Sequence, residues 1–415
     1  MQEVISTNKL AAFRANLAST SVVFPDDKVS AAFEFLNETD FPTTRHENWK
    51  YTRLARIANL RFDQTDESKI DTSLRICAKS LQFVFHNGNL IQQPQILPNG
   101  LTVKSIQDCS AEELANVSSE LTTFEALNLA YASNGLFIQI AAKTNLEQAI
   151  EIIHYTTGNE FVALRNVIQT GALSKAEIIL NYLSVEESNS LINVVTDVEV
   201  GTGTHLTLHK IQAEAGTNFH VSKENIKQEK DSNFTLHTTT LNGNFVRNDV
   251  NAAVNGQNCE TNLYGAYILN GTQHVDNHTV IDHKVAHCLS NELYKGVIDD
   301  KATAVFNGKV FVRKDAQKIN AFQSNANVLM SDDATVNSKP ELEIYADDVK
   351  CSHGSTTGQL DEEAVFYLRA RGISEKSARN LVVSAFVNDA LEKTENEEVL
   401  AYIYSLVKER FGWEF

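Results

Sequence analysis

The chain has 415 residues, 42% of them hydrophobic and 8% aromatic, which is ordinary for a globular protein and too long for a single compact core. Its formal charge of -17 argues against non-specific nucleic-acid binding, which depends on clustered Lys and Arg neutralising phosphates. No apolar stretch is long enough to span a bilayer, the first residues lack the order of a secretory signal, and five scattered cysteines (Cys77, Cys109, Cys259, Cys288, Cys351) do not form a disulfide framework, so a cytoplasmic protein with free thiols is expected.

Helical periodicity comes first. Leu10, Phe13 and Leu17 share a face over 8–17, as do Ala32, Phe33 and Leu36 over 29–37, with Pro25 and Pro42 as punctuation. A polar and aromatic segment, 42–52, holds Trp49-Lys50-Tyr51-Thr52; buried rings with satisfied polar handles are the favoured reading over a binding loop. Phe83-Val84-Phe85-His86-Asn87-Gly88-Asn89-Leu90-Ile91 predicts a hairpin turning on Asn-Gly. Helical character returns over 111–131, before strands at 136–140 and 149–155.

From Phe161 to Asp347 the chain reads as one short strand after another, with no proline between Pro98 and Pro340. The strands recur about every 14 to 15 residues, a fixed period of the kind that stacked structural units produce. They alternate: Leu206 and Leu208 point one way, His205, Thr207 and His209 the other. Corners are expected at Thr202-Gly203, Asn242-Gly243, Asn255-Gly256, Asn270-Gly271 and Asn307-Gly308, where Gly or Asn takes the positive φ of a tight bend. Two such strands per turn make a flattened solenoid, favoured over a sandwich or barrel because the corners are even and no Greek-key crossover is visible.

After Gly358 three amphipathic helices are expected: 361–371, stopped by Gly372; one capped by Ser374 with Ala378, Leu381, Val382, Ala385 and Phe386 on one face; and one starting at Thr394 in a capping box with Glu397. Part of their apolar surface is expected to cover the last rung of the coil. The division is then 1–135, mostly helical with a small hairpin; 136–358, the β-helix core; and 359–415, a helical domain.

Two polar sets carry chemistry. His274, Asp276 and His278 share a strand face at metal-ligand spacing, but a hydrogen-bonded polar ladder is the preferred reading. Cys351 and His353, two apart at the exit from the coil, offer thiolate and imidazole to iron or an iron-sulfur cluster; two ligands are too few for a closed site, so a partner subunit must supply the rest. No phosphate loop, Gly-x-Ser-x-Gly elbow or His-Glu-x-x-His helix occurs, so nothing points to an independent hydrolase or nucleotide enzyme.

These blocks, in order, resemble the SufB/SufD family of iron-sulfur cluster assembly scaffolds. The resemblance rests on His274-Val275-Asp276-Asn277-His278-Thr279, Glu292-Leu293-Tyr294-Lys295-Gly296, Phe306-Asn307-Gly308-Lys309-Val310, Pro340-Glu341-Leu342-Glu343-Ile344, the run from Ala346 through Cys351-Ser352-His353-Gly354, and Phe366-Tyr367-Leu368-Arg369-Ala370-Arg371-Gly372. It is dense over about 275–386, with Trp49-Lys50-Tyr51-Thr52 as an amino-terminal motif. SufB-like chains carry a cysteine after the Leu-Leu-Met-type rung and a His-Glu-Ala-Thr-Thr-Ser motif. Here Asn327-Val328-Leu329-Met330-Ser331-Asp332-Asp333 lacks that cysteine and the later motif starts Cys351-Ser352-His353-Gly354, so the chain sits on the SufD side.

The resemblance implies a right-handed parallel β-helix between amino- and carboxy-terminal helical regions. It further implies a non-catalytic scaffold that pairs with a SufB-like homologue and docks the SufC ATPase, receiving sulfur from donor proteins indirectly. No tightly bound cofactor is expected; a transient iron-sulfur cluster at the SufB-SufD interface would use His353, with Cys351 as a weaker companion. A stand-alone homodimeric scaffold is the near alternative, and a β-helix carbohydrate-active enzyme the distant one.

Overall fold

The computed structural model describes residues 8–17, 23–62, 70–118, 120–184 and 189–413. Its centre is a mainly β solenoid of about eight turns, in which successive strands fall alternately into a ten-stranded and a nine-stranded sheet. Pairing is parallel and in register, so His274 meets Thr303 and Asn233 meets Glu260 one turn on. Strand alternation sends Leu206, Leu208, Phe234, Leu236, Leu263, Ile281, Phe306 and Val310 into one continuous interior.

The predicted corners divide into three cases. Gly203, Gly243 and Gly271 take φ of +65°, +117° and +63°, the left-handed conformation that favours glycine. Gly256 is needed instead for close approach, since a Cβ there would lie 2.0 Å from the Lys230 backbone nitrogen. Asn307-Gly308 is not a corner at all; it lies inside the strand Thr303–Val312. Several bends use Asp231, Asn258, His287, Asp300 and Lys318 at positive φ, which a search for glycine passes over.

The two ends differ. At the start, each sheet finishes in a short antiparallel strand, Asn89–Gln92 against Leu81–His86 and Leu101–Ser105 against Leu136–Ile140. The hairpin read from Asn87-Gly88 is therefore the first rung of the ten-stranded sheet, with Leu81–His86 parallel to Ile150–Thr156. At the far end, the sheets finish in full ten-residue strands, Thr335–Ile344 and Lys350–Gln359. Long unpaired parallel edges are what soluble chains ordinarily shorten, charge or cover.

Helices cover the flanks. The amino-terminal helices α1 (Lys9–Arg14), α2 (Asp26–Glu38), α3 (Ala55–Ala58) and α4 (Thr123–Tyr131) pack Leu10, Phe13, Leu36, Ile57 and Leu127 onto the outside of the nine-stranded sheet at Val167, Leu191, Phe219 and Phe245. Helicity over 111–131 is confined to α4, where Thr122 is the N-cap. The carboxy-terminal helices are α5 (Glu362–Arg369), capped by Asp361; α6 (Glu375–Leu391), capped by Ser374; and α7 (Glu397–Phe411). The α7 cap is Asn396, whose side chain accepts from the Glu398 and Val399 N–H groups; Thr394 faces His237 instead, 3.4 Å away.

Contrary to expectation, these three helices do not cover the last rung. Val383, Val387, Val399, Ile403 and Val407 lie against Ile179, Ile211, Ile268 and Val297, on the outer face of the ten-stranded sheet. Strands such as Lys175–Ser184 carry apolar residues on both faces, Ile178 and Leu180 inward and Ile179 outward, so the flank supplies a docking surface for α6 and α7 that the polar terminal rung does not. The last strand is left exposed along nearly its whole length, and the penultimate one is half-buried.

Candidate functional site

Cys351 and His353 sit on the last strand, Lys350–Gln359, which pairs with Asn320–Leu329 in the register Ala321 to Cys351 and Gln323 to His353. Ala321 is a fully buried interior residue, so Cys351 and His353 belong to the inward side of the stack. Among the described residues no further strand stacks on them. Cys351 is half-buried against the interior core, and burial pushes its thiol pKa up, so the sulfur rests as a neutral thiol until a metal or base removes the proton. His353 is exposed. The two candidate ligands are thus brought together on an open end, and no group of three or more potential metal ligands exists among the described residues.

Around them the rung is apolar in places. Phe322, Ile344 and Tyr345 are 45%, 40% and 59% exposed. Lys339 reaches Glu47 of the amino-terminal loop at 2.6 Å and Glu341 at 3.1 Å, tying that loop to the penultimate strand.

Beneath the open rung the interior turns polar. Gln323 Nε2 donates to Glu292 Oε2 at 2.6 Å, and the Thr279 hydroxyl donates to the other Glu292 oxygen. Glu292 is buried with no cation beside it among the described residues, and that burial raises its pKa to about 7. A second line runs alongside: Ser355 Oγ to Ser338 Oγ at 2.7 Å, Ser338 Oγ to Asn325 Oδ1 at 2.7 Å, and Asn325 Nδ2 to the Tyr267 hydroxyl at 2.9 Å. Glycines make the room. A Cβ at Gly308 would lie 2.3 Å from Gln323 Nε2, and one at Gly296 would lie 2.1 Å from the Tyr267 ring. Sequence reasoning missed this set, although Gly265, Gly296 and Gly308 inside strand patterns are the signal that another group approaches closely there.

The His274 set is a ladder, as preferred. Asp276 accepts from Arg247 Nη1 at 2.7 Å and from the Thr52 hydroxyl, and pairs with His278 Nε2 at 2.9 Å. Burial works to raise the Asp276 pKa, but Arg247 and His278 outweigh it and hold the carboxyl well below the usual carboxylate range. His274 Nε2 lies 2.9 Å from Thr52 Oγ1, and burial keeps the ring neutral by lowering its pKa. With Asp276 committed to a guanidinium, these three side chains serve the docking of Trp49-Lys50-Tyr51-Thr52 onto the coil.

Residues 153–386 match the family described as SUF system FeS cluster assembly, SufBD core domain. The chain is similar to the iron-sulfur cluster assembly protein SufD of Escherichia coli, 28% identical over 385 residues and 90% of each chain. It is 30% identical over 393 residues to an iron-sulfur cluster assembly SufBD family protein of Synechocystis, covering 88% of this chain and 87% of that one. A chloroplastic protein of Arabidopsis thaliana, ABCI7, is 26% identical over 407 residues, 92% of this chain and 85% of its own. A family match over more than half of the residues, with SufD-type relatives along nearly the whole length, makes this chain a SufD-like member of the SufBD family of the SUF iron-sulfur cluster assembly system.

Proposed function

We propose that the chain is a non-catalytic scaffold subunit that stacks its last rung on a SufB-like chain, and that a nascent iron-sulfur cluster is assembled at the seam with His353 as a ligand and Cys351 as its companion. The observation that carries this reading is the pair of ten-residue edge strands, each hydrogen-bonded on one side only among the described residues, with His353 exposed on the inward side of the outer one. An incoming chain that continues both sheets would pair the orphan backbone groups, cover Ile344 and Tyr345, and enclose the two ligands with donors of its own. The cluster is cargo here, which agrees with an incomplete ligand set.

The SufC ATPase is assigned to the carboxy-terminal helices. Phe366, Tyr367 and Leu381 on α5 and α6 are 71%, 56% and 43% exposed, large apolar groups left uncovered on these helices. ATP-driven movement of SufC would pull on helices seated along the flank, and so act on the seam through the strands they rest on.

Anaerobic cluster reconstitution of the co-expressed complex tests the site. His353→Ala is expected to leave complex assembly intact and lower cluster yield, with Cys351→Ala giving a smaller loss. Assembly failure in His353→Ala would make the residue structural, and full yield in both variants would dismiss the site. A SufD-like chain that runs as a homodimer on gel filtration and ignores SufB would favour a second copy on the same edge.

A further inference from the structure

His353 has a buried polar neighbour in the rung beneath it. Gln323 is 3% exposed and lies directly under His353 in the parallel register. Its Nε2 is committed to Glu292 at 2.6 Å, which turns Oε1 the other way, and that oxygen has no hydrogen-bond partner among the described residues. A buried amide oxygen without a partner costs free energy that a hydrogen-bond donor would recover. It is a buried acceptor without a partner among the described residues, one rung below the open end. The amide is also built into place: Gly308 leaves out the Cβ that would collide with Gln323 Nε2, and Thr279 anchors the far side of the carboxylate.

Imidazole ligands of metals almost always donate their second ring N–H to a carbonyl or carboxylate, which fixes the tautomer and aims the bare nitrogen at the metal. We propose that Gln323, held by Glu292, positions His353 by accepting its ring N–H on Oε1, presenting the other ring nitrogen outward as the cluster ligand. The inference rests on the reading of His353 as a ligand. Glu292 and Gln323 touch neither metal nor sulfide; they are positioning residues. The Glu292 carboxylate accepts from the amide, and the amide accepts from the ring, so each group in the line has one orientation that satisfies its neighbour.

The test uses the full chain, alone and co-expressed with its SufB-like and SufC partners. In the chain alone, with 15N-labelled histidine, the His353 ring signals are identified by their loss in His353→Ala. Gln323→Met keeps volume and removes the acceptor; it is expected to shift His353 from one dominant tautomer to a mixture. In the complex, with ferrous iron and sulfide as probes, the same variant is expected to lose cluster yield roughly tenfold, the range of outer ligand-sphere substitutions. Glu292→Gln, which keeps an oxygen for the amide, should retain most of the yield, whereas Glu292→Met should behave like Gln323→Met. An unchanged tautomer and unchanged yield in Gln323→Met, with yield lost in His353→Ala, would overturn the positioning role and leave the site standing. Full yield in His353→Ala would overturn both.

Discussion

The guanidinium of Arg247 lies 4.1 Å from the centre of the Trp49 ring, so that a loop near the amino terminus closes over a rung in the middle of the coil. Arg247 also donates to the Asn48 carbonyl at 2.8 Å and pairs with Asp276 and Asp249, which leaves its charge buried but compensated. A desolvated cation over indole is worth about 2 kcal/mol. Trp49→Ala should therefore lower the unfolding free energy by at least that amount, and Trp49→Phe by less than half of it. Urea unfolding of the three proteins decides; equal midpoints would mean that the loop contributes nothing to folding.

A second prediction concerns an ion pair sealed in the solenoid. Lys210 Nζ and Glu224 Oε2 are 2.7 Å apart with both side chains essentially inaccessible, and Ser222 shares the ammonium at 3.1 Å. Burial lowers the Lys210 pKa, and Glu224 works against that shift. Removing one partner strands the other charge, so Glu224→Ala should cost about 3–5 kcal/mol, while Lys210→Met with Glu224→Leu should recover most of it. Double variants no better than the single ones in denaturant would show that the pair is needed for more than mutual neutralisation.

Glu292 gives the pH prediction. Its pKa is about 7 in the folded chain against an ordinary 4.5, because burial penalises the ionised form. The folded chain keeps a proton that the unfolded chain has released, so the contribution of this group to stability is full below about 4.5 and declines as pH rises through 7. With about 1.4 kcal/mol for each tenfold change in proton affinity, the total decline is roughly 3 kcal/mol. Glu292→Gln should flatten that part of the profile, and the difference in melting temperature between the two proteins should move in favour of the variant from pH 5 to pH 8. A constant difference would place the Glu292 pKa near its ordinary value.

The coil was legible because its cause is local. Alternation in Leu206-Thr207-Leu208 and turn residues at Thr202-Gly203 or Asn270-Gly271 recur with the rung itself, and each rung repeats the evidence. The two-residue spacing likewise placed Cys351 and His353 on one face of an extended segment, and the structure puts both on the inward side of the last strand. What was hidden depends on distance along the chain. The seat of α6 and α7 is set by Ile179, Ile211, Ile268 and Val297, outward apolar residues scattered over four rungs that mean nothing until the sheet is assembled. Asn307-Gly308 carried a turn signature and became a strand interior, because the Gln323 amide occupies the space that the missing Cβ leaves. Thr394 and Glu397 spelled a capping box, yet Asn396 sits closer to the first turn and Thr394 is drawn to His237 of the coil.

The exposed aromatics of α5 predict a separable partner surface. Arg371 stacks over Tyr367 at 3.8 Å, and Phe366 beside it is 71% exposed, so neither ring is part of the core formed by Val365, Val383 and Val399. Phe366→Ser with Tyr367→Ser should leave the melting temperature within a few degrees of the parent and abolish co-purification with SufC while SufB is retained. Unchanged recovery of SufC would move its docking surface elsewhere on the chain.

Gly308→Ala separates the stability of the coil from the orientation of the Gln323 amide. The added methyl would meet Gln323 Nε2 at 2.3 Å and Phe306 Cζ at 2.7 Å, whereas the backbone of Gly308 sits in an ordinary strand with no positive φ. Of the two obstacles, Gln323 is the end of a flexible side chain and yields first, so the cost to folding should be modest, about 1–3 kcal/mol as for other overpacked interiors. Yielding, however, means leaving Glu292, and with it the orientation in which Oε1 would accept from His353 under the proposal above. The variant is therefore expected to fold and to assemble with its partners but to build clusters as poorly as Gln323→Met. Adding Gln323→Met to Gly308→Ala should then cause no further loss, since both act on one hydrogen bond. Additive losses in yield would show that Gly308 serves the interior through Phe306 rather than through the amide.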